Sequence, residues 1–241
     1  MKSTYVTSKV TPRQNVNKER RVNMNDEVKP KLELISLFST PCVKTNIGRD
    51  FTEDELQFLF HNLPMRKDEQ EEMANHQSKD FQIFDSYTDT LKDIRNFCEQ
   101  QLKTYLEEID GVDIDLTGLR ITQSWLNRTK PGESHHPHIH RNSYLSGVLY
   151  ISCLPNDGIL FNNRLKGMFN NMEFPLKEGT QWNAKNIEQP VTEGDLIIFP
   201  SWVPHFVNRN ETKNRERISL AFNTFPIGEM GNDKFANHLK L

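Results

Sequence analysis

From Leu119 onward, apolar and polar positions alternate with a period of two. The runs "LRITQSWLN" (119–127), "SGVLYISC" (146–153), "GILFN" (158–162), "GDLIIFP" (194–200) and "RISLAFNTF" (217–225) are short and are separated by Gly, Pro and Asn. They predict strands. Upstream the period lengthens. In "FTEDELQFLFHNL", Thr52 and Glu55 stand at capping-box spacing before an apolar face of Leu56, Leu59 and Phe60, which predicts a helix. A longer helix follows from Leu91, Ile94, Cys98, Leu102, Tyr105 and Ile109, whose steps of three and four trace one face until Gly111 ends it. The stretch "LELISLFSTPCVK" (32–44) reads as a further strand ending at Pro41, and Asn163 to Gln189 reads as one long loop. Helices followed by many short strands indicate a mainly β domain, an antiparallel sandwich or barrel with helices packed on one face.

Composition adds boundaries to this pattern. Among 241 residues the apolar fraction is 35% and the mean hydropathy −0.70, values that suit one main domain accompanied by long polar segments. Residues 1–31 carry eight Lys or Arg against three acids and no apolar periodicity. They read as a flexible arm, with an organelle-targeting segment as the rival reading. No stretch approaches the roughly 20 apolar residues of a membrane helix, so no membrane partner is expected. Cys42, Cys98 and Cys153 form no CxxC pair, which argues against a disulfide framework and for a cytoplasmic, reducing setting. A net charge of −3 gives no basic footprint for nucleic acid. A homodimer is among the oligomeric states the sequence leaves open.

The candidate chemistry lies in "HHPHIHRNSYLSGVLYI", which puts four of the eight histidines at positions 135, 136, 138 and 140. In an extended chain His136, His138 and His140 would share a face, with His135 pointing away. Downstream, "GDLIIFPSWVPH" delivers His205, and alternation in "RISLAFN" sets Arg217, Ser219, Ala221 and Asn223 opposite an apolar face of Ile218, Leu220 and Phe222. An arginine directed into a barrel requires an anionic partner, and a carboxylate suits a guanidinium best. Histidines at a metal beside a carboxylate-binding arginine fit a non-haem Fe(II) oxygenase that uses 2-oxoglutarate.

The ordered motifs "WLN", Gly132, "HIH", "SGVLYI", "GDLIIFPSWVPH" and "RISLAFN" resemble the 2-oxoglutarate/Fe(II)-dependent oxygenases of phages and marine bacteria, within the prolyl-4-hydroxylase-like superfamily. The resemblance spans about residues 119–225. It implies a double-stranded β-helix (a jelly roll, cupin-like) with His138, His140 and His205 at iron. Arg217 would grip the distal carboxylate of 2-oxoglutarate, Ser219 would assist it, and Asn127 is a further candidate for the pocket. The implied boundaries are an arm at 1–31, an oxygenase domain at 32–228 with helical support at 50–111 and a β-helix at 117–226, and a tail at 229–241. The implied reaction consumes 2-oxoglutarate and dioxygen and hydroxylates an unidentified substrate, releasing succinate and carbon dioxide.

His140 stands where the wider superfamily has Asp or Glu. Two alternatives follow: Glu133 or Asp157 completes the metal shell, or His136 pairs with His138. Two other functions compete, a cupin-like metalloenzyme that does not use 2-oxoglutarate and a non-enzymatic jelly-roll binding module. Phe169, Phe174 and Trp182 are either pocket residues or anchors of the long loop.

Overall fold

A computed structural model describes residues 39–66, 76–163, 174–231, 233–235 and 237–241. The chain divides into two units, Met1–Ser39 and Thr40–Leu241. Of the first only Ser39 is described, so the arm at 1–31 and the start of the strand expected at 32–44 lie outside the described residues, as does Phe169.

The expected helices form. Thr52 Oγ1 accepts the Glu55 amide at 3.2 Å and the Glu55 carboxylate accepts the Thr52 amide at 2.8 Å, closing the capping box that starts α1 (Glu53–Gln57). The chain then widens into a π-helical turn, Phe58–Asn62. A four-residue helix, α2 (Ile83–Ser86), precedes α3 (Lys92–Thr104), which also ends in a π-helical turn, Tyr105–Ile109. Gly111, at φ +65°, supplies the left-handed residue that stops it. The stripe Leu91, Ile94, Cys98, Leu102 and Tyr105 is buried in one apolar cluster with Ile121, Leu126, Leu149, Ile198, Leu220 and Phe222 of the strands. Each such side chain contributes about 1.5–3 kcal/mol of burial. The helical layer thus packs on one face of a sheet. No helix among the described residues is long and apolar enough to cross a membrane.

Eleven strands are described: β1 (Val43–Asn46), β2 (His76–Gln77), β3 (Thr117–Thr129), β4 (His135–His138), β5 (Leu145–Ser152), β6 (Gly158–Asn162), β7 (Asn186–Pro190), β8 (Asp195–Pro200), β9 (His205–Val207), β10 (Arg217–Met230) and β11 (Leu239–Lys240). A seven-stranded sheet has the order β1-β8-β5-β10-β3-β2, with β11 also on β10, and a four-stranded sheet has the order β4-β9-β6-β7. All pairs between these strands are antiparallel. The chain crosses from one sheet to the other between β3 and β4, β4 and β5, β5 and β6, β7 and β8, β8 and β9, and β9 and β10. That winding is the double-stranded β-helix. A second apolar cluster, Tyr150, Cys153, Ile159, Val191, Ile197 and Phe199, fills the space between the sheets.

Gly147 shows how closely the first cluster is packed. It pairs with Phe222 across β5 and β10, and a Cβ there would lie 2.1 Å from Phe222 Cζ. The Gly of "SGV" therefore makes room for the ring that the helices pack against.

Two expectations need correction. Among the described residues of the strand expected to end at Pro41, pairing is found only beyond the proline: β1 starts at Val43, where it pairs with β8, and Pro41 has no N–H to give a ladder. The loop expected to run to Gln189 ends earlier, because β7 pairs with β6 from Asn186. Its residues are almost all exposed, so burial imposes no alternation of apolar and polar positions for the sequence to show. The C-terminal stretch from residue 229 contributes the end of β10 and β11, which pair with each other.

Candidate metal centre

The histidines converge between the two sheets. His138, the last residue of β4, pairs in register with His205, the first of β9. His140 lies two residues beyond β4 and is held by its amide, which donates to the Ser201 carbonyl at 3.0 Å. One ligand atom from each of His138, His140 and His205 lies within 4.8 Å of the other two. The Nε2 atoms of His140 and His205 are 3.2 Å apart. Two imidazole nitrogens each about 2.1 Å from one metal at a right angle would stand roughly 3.0 Å apart, so this donor pair fits adjacent positions on a single ion. Imidazole donors suit iron, nickel, copper or zinc.

The far ring nitrogens fix the orientation of two of the three. His138 Nδ1 donates to the His136 carbonyl at 2.8 Å and His205 Nδ1 to the Val203 carbonyl at 3.0 Å. With the proton on Nδ1, Nε2 is left with the lone pair that a metal needs. Burial lowers the pKa of all three, that of His140 to about 4 and that of His205 to about 2. The site is therefore neutral at pH 7 and needs no proton loss before binding a cation.

The structure corrects the assignment of faces. A register shift lies between His135 and His138 on β4, where three steps on that strand match two on β9. The extra residue is a bulge, and it reverses the parity on which an alternation argument rests. His135 therefore faces the site, its ring centroid 4.2 Å from that of His138, while His136 is exposed. Burial also lowers the His135 pKa, to about 3. Neither carboxylate alternative is at the cluster. Glu133 accepts from the Lys130 amide at 2.6 Å and meets His76 Nε2 at 2.8 Å, and Asp157 is occupied by Arg217.

That last pairing supplies the anionic partner the sequence demanded, from within the chain. Arg217 Nε donates to both Asp157 oxygens at 2.8 Å, and Nη2 donates to Oδ1. The Asp157 side chain is fully buried and Arg217 nearly so. The guanidinium is therefore not wholly available to an outside carboxylate, as the sequence had suggested, because a charge this deep is stable only when compensated. One atom remains: Arg217 Nη1 is buried and has no hydrogen-bond partner. Arg217, Ser219, Asn127, Thr129 and Tyr150 line the same narrow recess as the histidines. An unsatisfied buried donor is costly unless a ligand meets it, so the recess fits a carboxylate oxygen at Nη1.

A wider cavity of about 250 Å3 shares Trp125, His135, His138 and His140 with that recess and is lined besides by Gln77, Phe81, Gln123 and Asn223. Asn127 is a strand residue of β3, and its Oδ1 accepts from Trp125 Nε1 at 3.1 Å. Gln77, Phe81, Thr129 and Tyr150 escaped the sequence reading. Tyr150 could have been found, since it stands two residues from Val148 on the inward face of β5; Gln77 lies in the two-residue β2, too short to show a period, and Phe81 in the connection before α2. Phe174 and Trp182 are exposed and line neither cavity.

Residues 123–223 match the family model described as "Putative 2OG-Fe(II) oxygenase". The match holds every candidate ligand. It opens in β3 at Gln123 and closes in β10 at Asn223, so it covers the β-helix rather than the helical layer. No curated protein matches the chain in sequence. Among solved structures, a 2OG-Fe(II) oxygenase family oxidoreductase from Burkholderia pseudomallei is similar at 13% identity and a TM-score of 0.51, over 76% of this chain and 83% of that one. The epimerase SnoN, in complex with Fe3+, alpha ketoglutarate and nogalamycin RO, is similar at 12% identity and a TM-score of 0.54, over 83% and 86%. HygX from Streptomyces hygroscopicus, with nickel and 2-oxoglutarate bound, gives 12% and 0.51, over 77% and 82%. At these identities the likeness is one of fold.

Proposed function

We propose that the protein is a non-haem Fe(II)- and 2-oxoglutarate-dependent dioxygenase that hydroxylates its substrate, with His138, His140 and His205 holding the iron. The convergence of three neutral imidazoles beside a buried arginine with one unsatisfied N–H carries this reading. The iron, when bound, supplies redox chemistry and open positions for an organic acid and dioxygen. The chain's own residues do the rest. Arg217 Nη1 receives the distal carboxylate of 2-oxoglutarate, Asp157 holds the guanidinium so that this atom faces the recess, and Ser219 and Asn127 flank it. Trp125, with its N–H tied to Asn127, lines the wider cavity, where the substrate would lie. The narrower grouping with prolyl-4-hydroxylase-like enzymes of phages and marine bacteria rests on the order of the motifs. A reducing cytoplasmic setting draws support from three unpaired cysteines.

The test is 2-oxoglutarate binding and succinate release by the iron-loaded protein. Arg217→Met should lose 2-oxoglutarate binding and keep the metal. The Asp157 pairing favours one rival, a cupin-like metalloenzyme in which Arg217 is purely structural and substrate meets the metal directly. Undiminished 2-oxoglutarate binding by a folded Arg217→Met protein would show that Arg217 does not hold the cosubstrate, and no 2-oxoglutarate binding by the metal-loaded parent would overturn the proposal and favour that rival.

A further inference from the structure

His140 is held differently from its two neighbours. The Nδ1 atoms of His138 and His205 face backbone carbonyls, which can only accept, so the proton on each of those rings is fixed. His140 Nδ1 instead faces a side chain, the amide of Asn223, whose Nδ2 is 3.4 Å away. An amide has a donor end and an acceptor end, and whichever end it presents decides which nitrogen of the imidazole carries the proton.

We infer that Asn223 is a positioning residue that sets the tautomer of His140 and, through it, the strength with which this third histidine binds metal. This rests on the metal-binding reading above. A neutral imidazole has one N–H. If Nε2 coordinates, the proton is on Nδ1 and needs an acceptor, which is Asn223 Oδ1. In the arrangement described, Nδ2 faces the ring, which suits the opposite tautomer, with Nε2–H directed at His205 Nε2 3.2 Å away. Coordination by His140 therefore requires the Asn223 amide to turn over.

Its surroundings permit that turn. Asn223 is 4% exposed and sits directly between Gln123 of β3 and Ser146 of β5 in the strand register. Asn223 Nδ2 donates to Gln123 Oε1 at 3.1 Å, and Ser146 Oγ donates to Asn223 Oδ1 at 2.8 Å. After the turn, Gln123 Nε2 would donate to Asn223 Oδ1, and Asn223 Nδ2 would donate to Ser146 Oγ. The Ser146 hydroxyl would then pass its proton direction on to Ser201 Oγ, 2.8 Å away, which is itself 2.7 Å from Ser143 Oγ. The hydroxyls of this chain exchange donor and acceptor roles by rotating their hydrogens alone, and the two amides by turning over in place. At the exposed end stands Gln123, free to present either half of its amide.

The experiment is anaerobic titration of the full chain with Fe(II), and with Ni(II) as a redox-inert check, the dissociation constant being the readout. Asn223→Ala should weaken binding roughly ten- to a hundredfold, as loss of a partner to a metal-bound histidine does. Asn223→Asp, whose carboxylate can only accept, should bind at least as tightly as the parent. Because a buried substitution also strains the fold, Gln123→Glu gives a second arm at an exposed position. Glutamate can only accept, so it holds the donor end of Asn223 toward itself and the wrong geometry is retained; binding should weaken severalfold. Electrostatics alone predicts the reverse, since an added negative charge near a cation tightens binding. Parent-like affinity in folded Asn223→Ala, or tighter binding in Gln123→Glu, would overturn the inference. Failure of the parent itself to bind either metal would instead overturn the functional reading.

Discussion

The two sheets differ in what they bury. In the seven-stranded sheet, β8 is buried from Asp195 through Phe199, and β10 is buried from Arg217 through Thr224. In the four-stranded sheet, β7 has four exposed residues of five and β4 is exposed at His136 and Pro137. The first sheet is covered on both faces, by the helical layer on one side and by the inter-sheet cluster on the other. The second covers the cleft with one face and meets solvent with the other. Stability and chemistry are therefore unevenly divided. The larger sheet supplies most of the burial and the arginine, whereas the smaller one and the turns at its ends supply the imidazoles.

The largest effects should come from breaking the packed side. Phe222→Ala removes a fully buried ring between Gly147 and Phe84, and a loss of about 3–5 kcal/mol is expected in urea unfolding. Asp157→Ala should cost a similar ~3–5 kcal/mol, because it strands the Arg217 charge in a buried site. Asp157 precedes β6 of the smaller sheet, so a loss under ~1 kcal/mol would show that the cleft contributes little to stability even at its deepest point. Gly147→Ala comes next, at about 1–3 kcal/mol from overpacking against the Phe222 ring. In the Phe222→Ala background most of that cost should vanish, and a double-mutant cycle reads the coupling directly. Additive costs would show that the ring is not what excludes a methyl group at 147.

The same division explains what the sequence revealed. β3, β5, β6, β8 and β10 carry enough residues for a period of two to emerge, and the helix from Leu91 to Ile109 shows its stripe over five turns. β4 and β9, which bear two of the ligands, have four and three residues. Their histidines were legible as a spacing, HxH followed by a distant His, and through the ordered motifs around them. Their directions were not, because the bulge between His135 and His138 depends on pairing with β9. Arg217 was legible as an inward residue needing an anion. Its partner was not, since Asp157 lies in the turn "PND" before β6, and nothing local marks a carboxylate that will meet a residue sixty positions away. Asn223 was placed on the correct face, yet its bond to His140 exists only once β10 and the turn after β4 are brought together.

Acid should separate the two regions at the smallest cost in stability. Burial holds His135, His138, His140 and His205 neutral in the fold, lowering the pKa of His135 to about 3, that of His140 to about 4 and that of His205 to about 2. In the unfolded chain each titrates near ~6.5. Between those limits the unfolded state binds more protons, so stability falls as pH falls below about 6.5 and continues to fall toward pH 4. The larger sheet responds in a different window. Burial raises the Asp195 pKa, but hydrogen bonds from Asn46, Lys44 and Thr192 outweigh it, and the carboxyl ends below its usual value. Its contribution is complete above about pH 4 and is lost only as pH falls through the lowered folded value. Urea midpoints measured between pH 7.5 and 4.5 should therefore decline progressively, and the decline should flatten in a His205→Gln protein, which has one fewer buried imidazole to charge. Saturating metal should raise the midpoint by a similar amount at pH 7 and at pH 5, because imidazoles that the fold keeps neutral carry no proton for the metal to displace. A midpoint that stays level from pH 7.5 to 4.5 would mean that the imidazoles charge as readily in the fold as in the open chain. The cleft would then be as wet as the outer face of the smaller sheet, and the contrast between the two regions would fail at its centre.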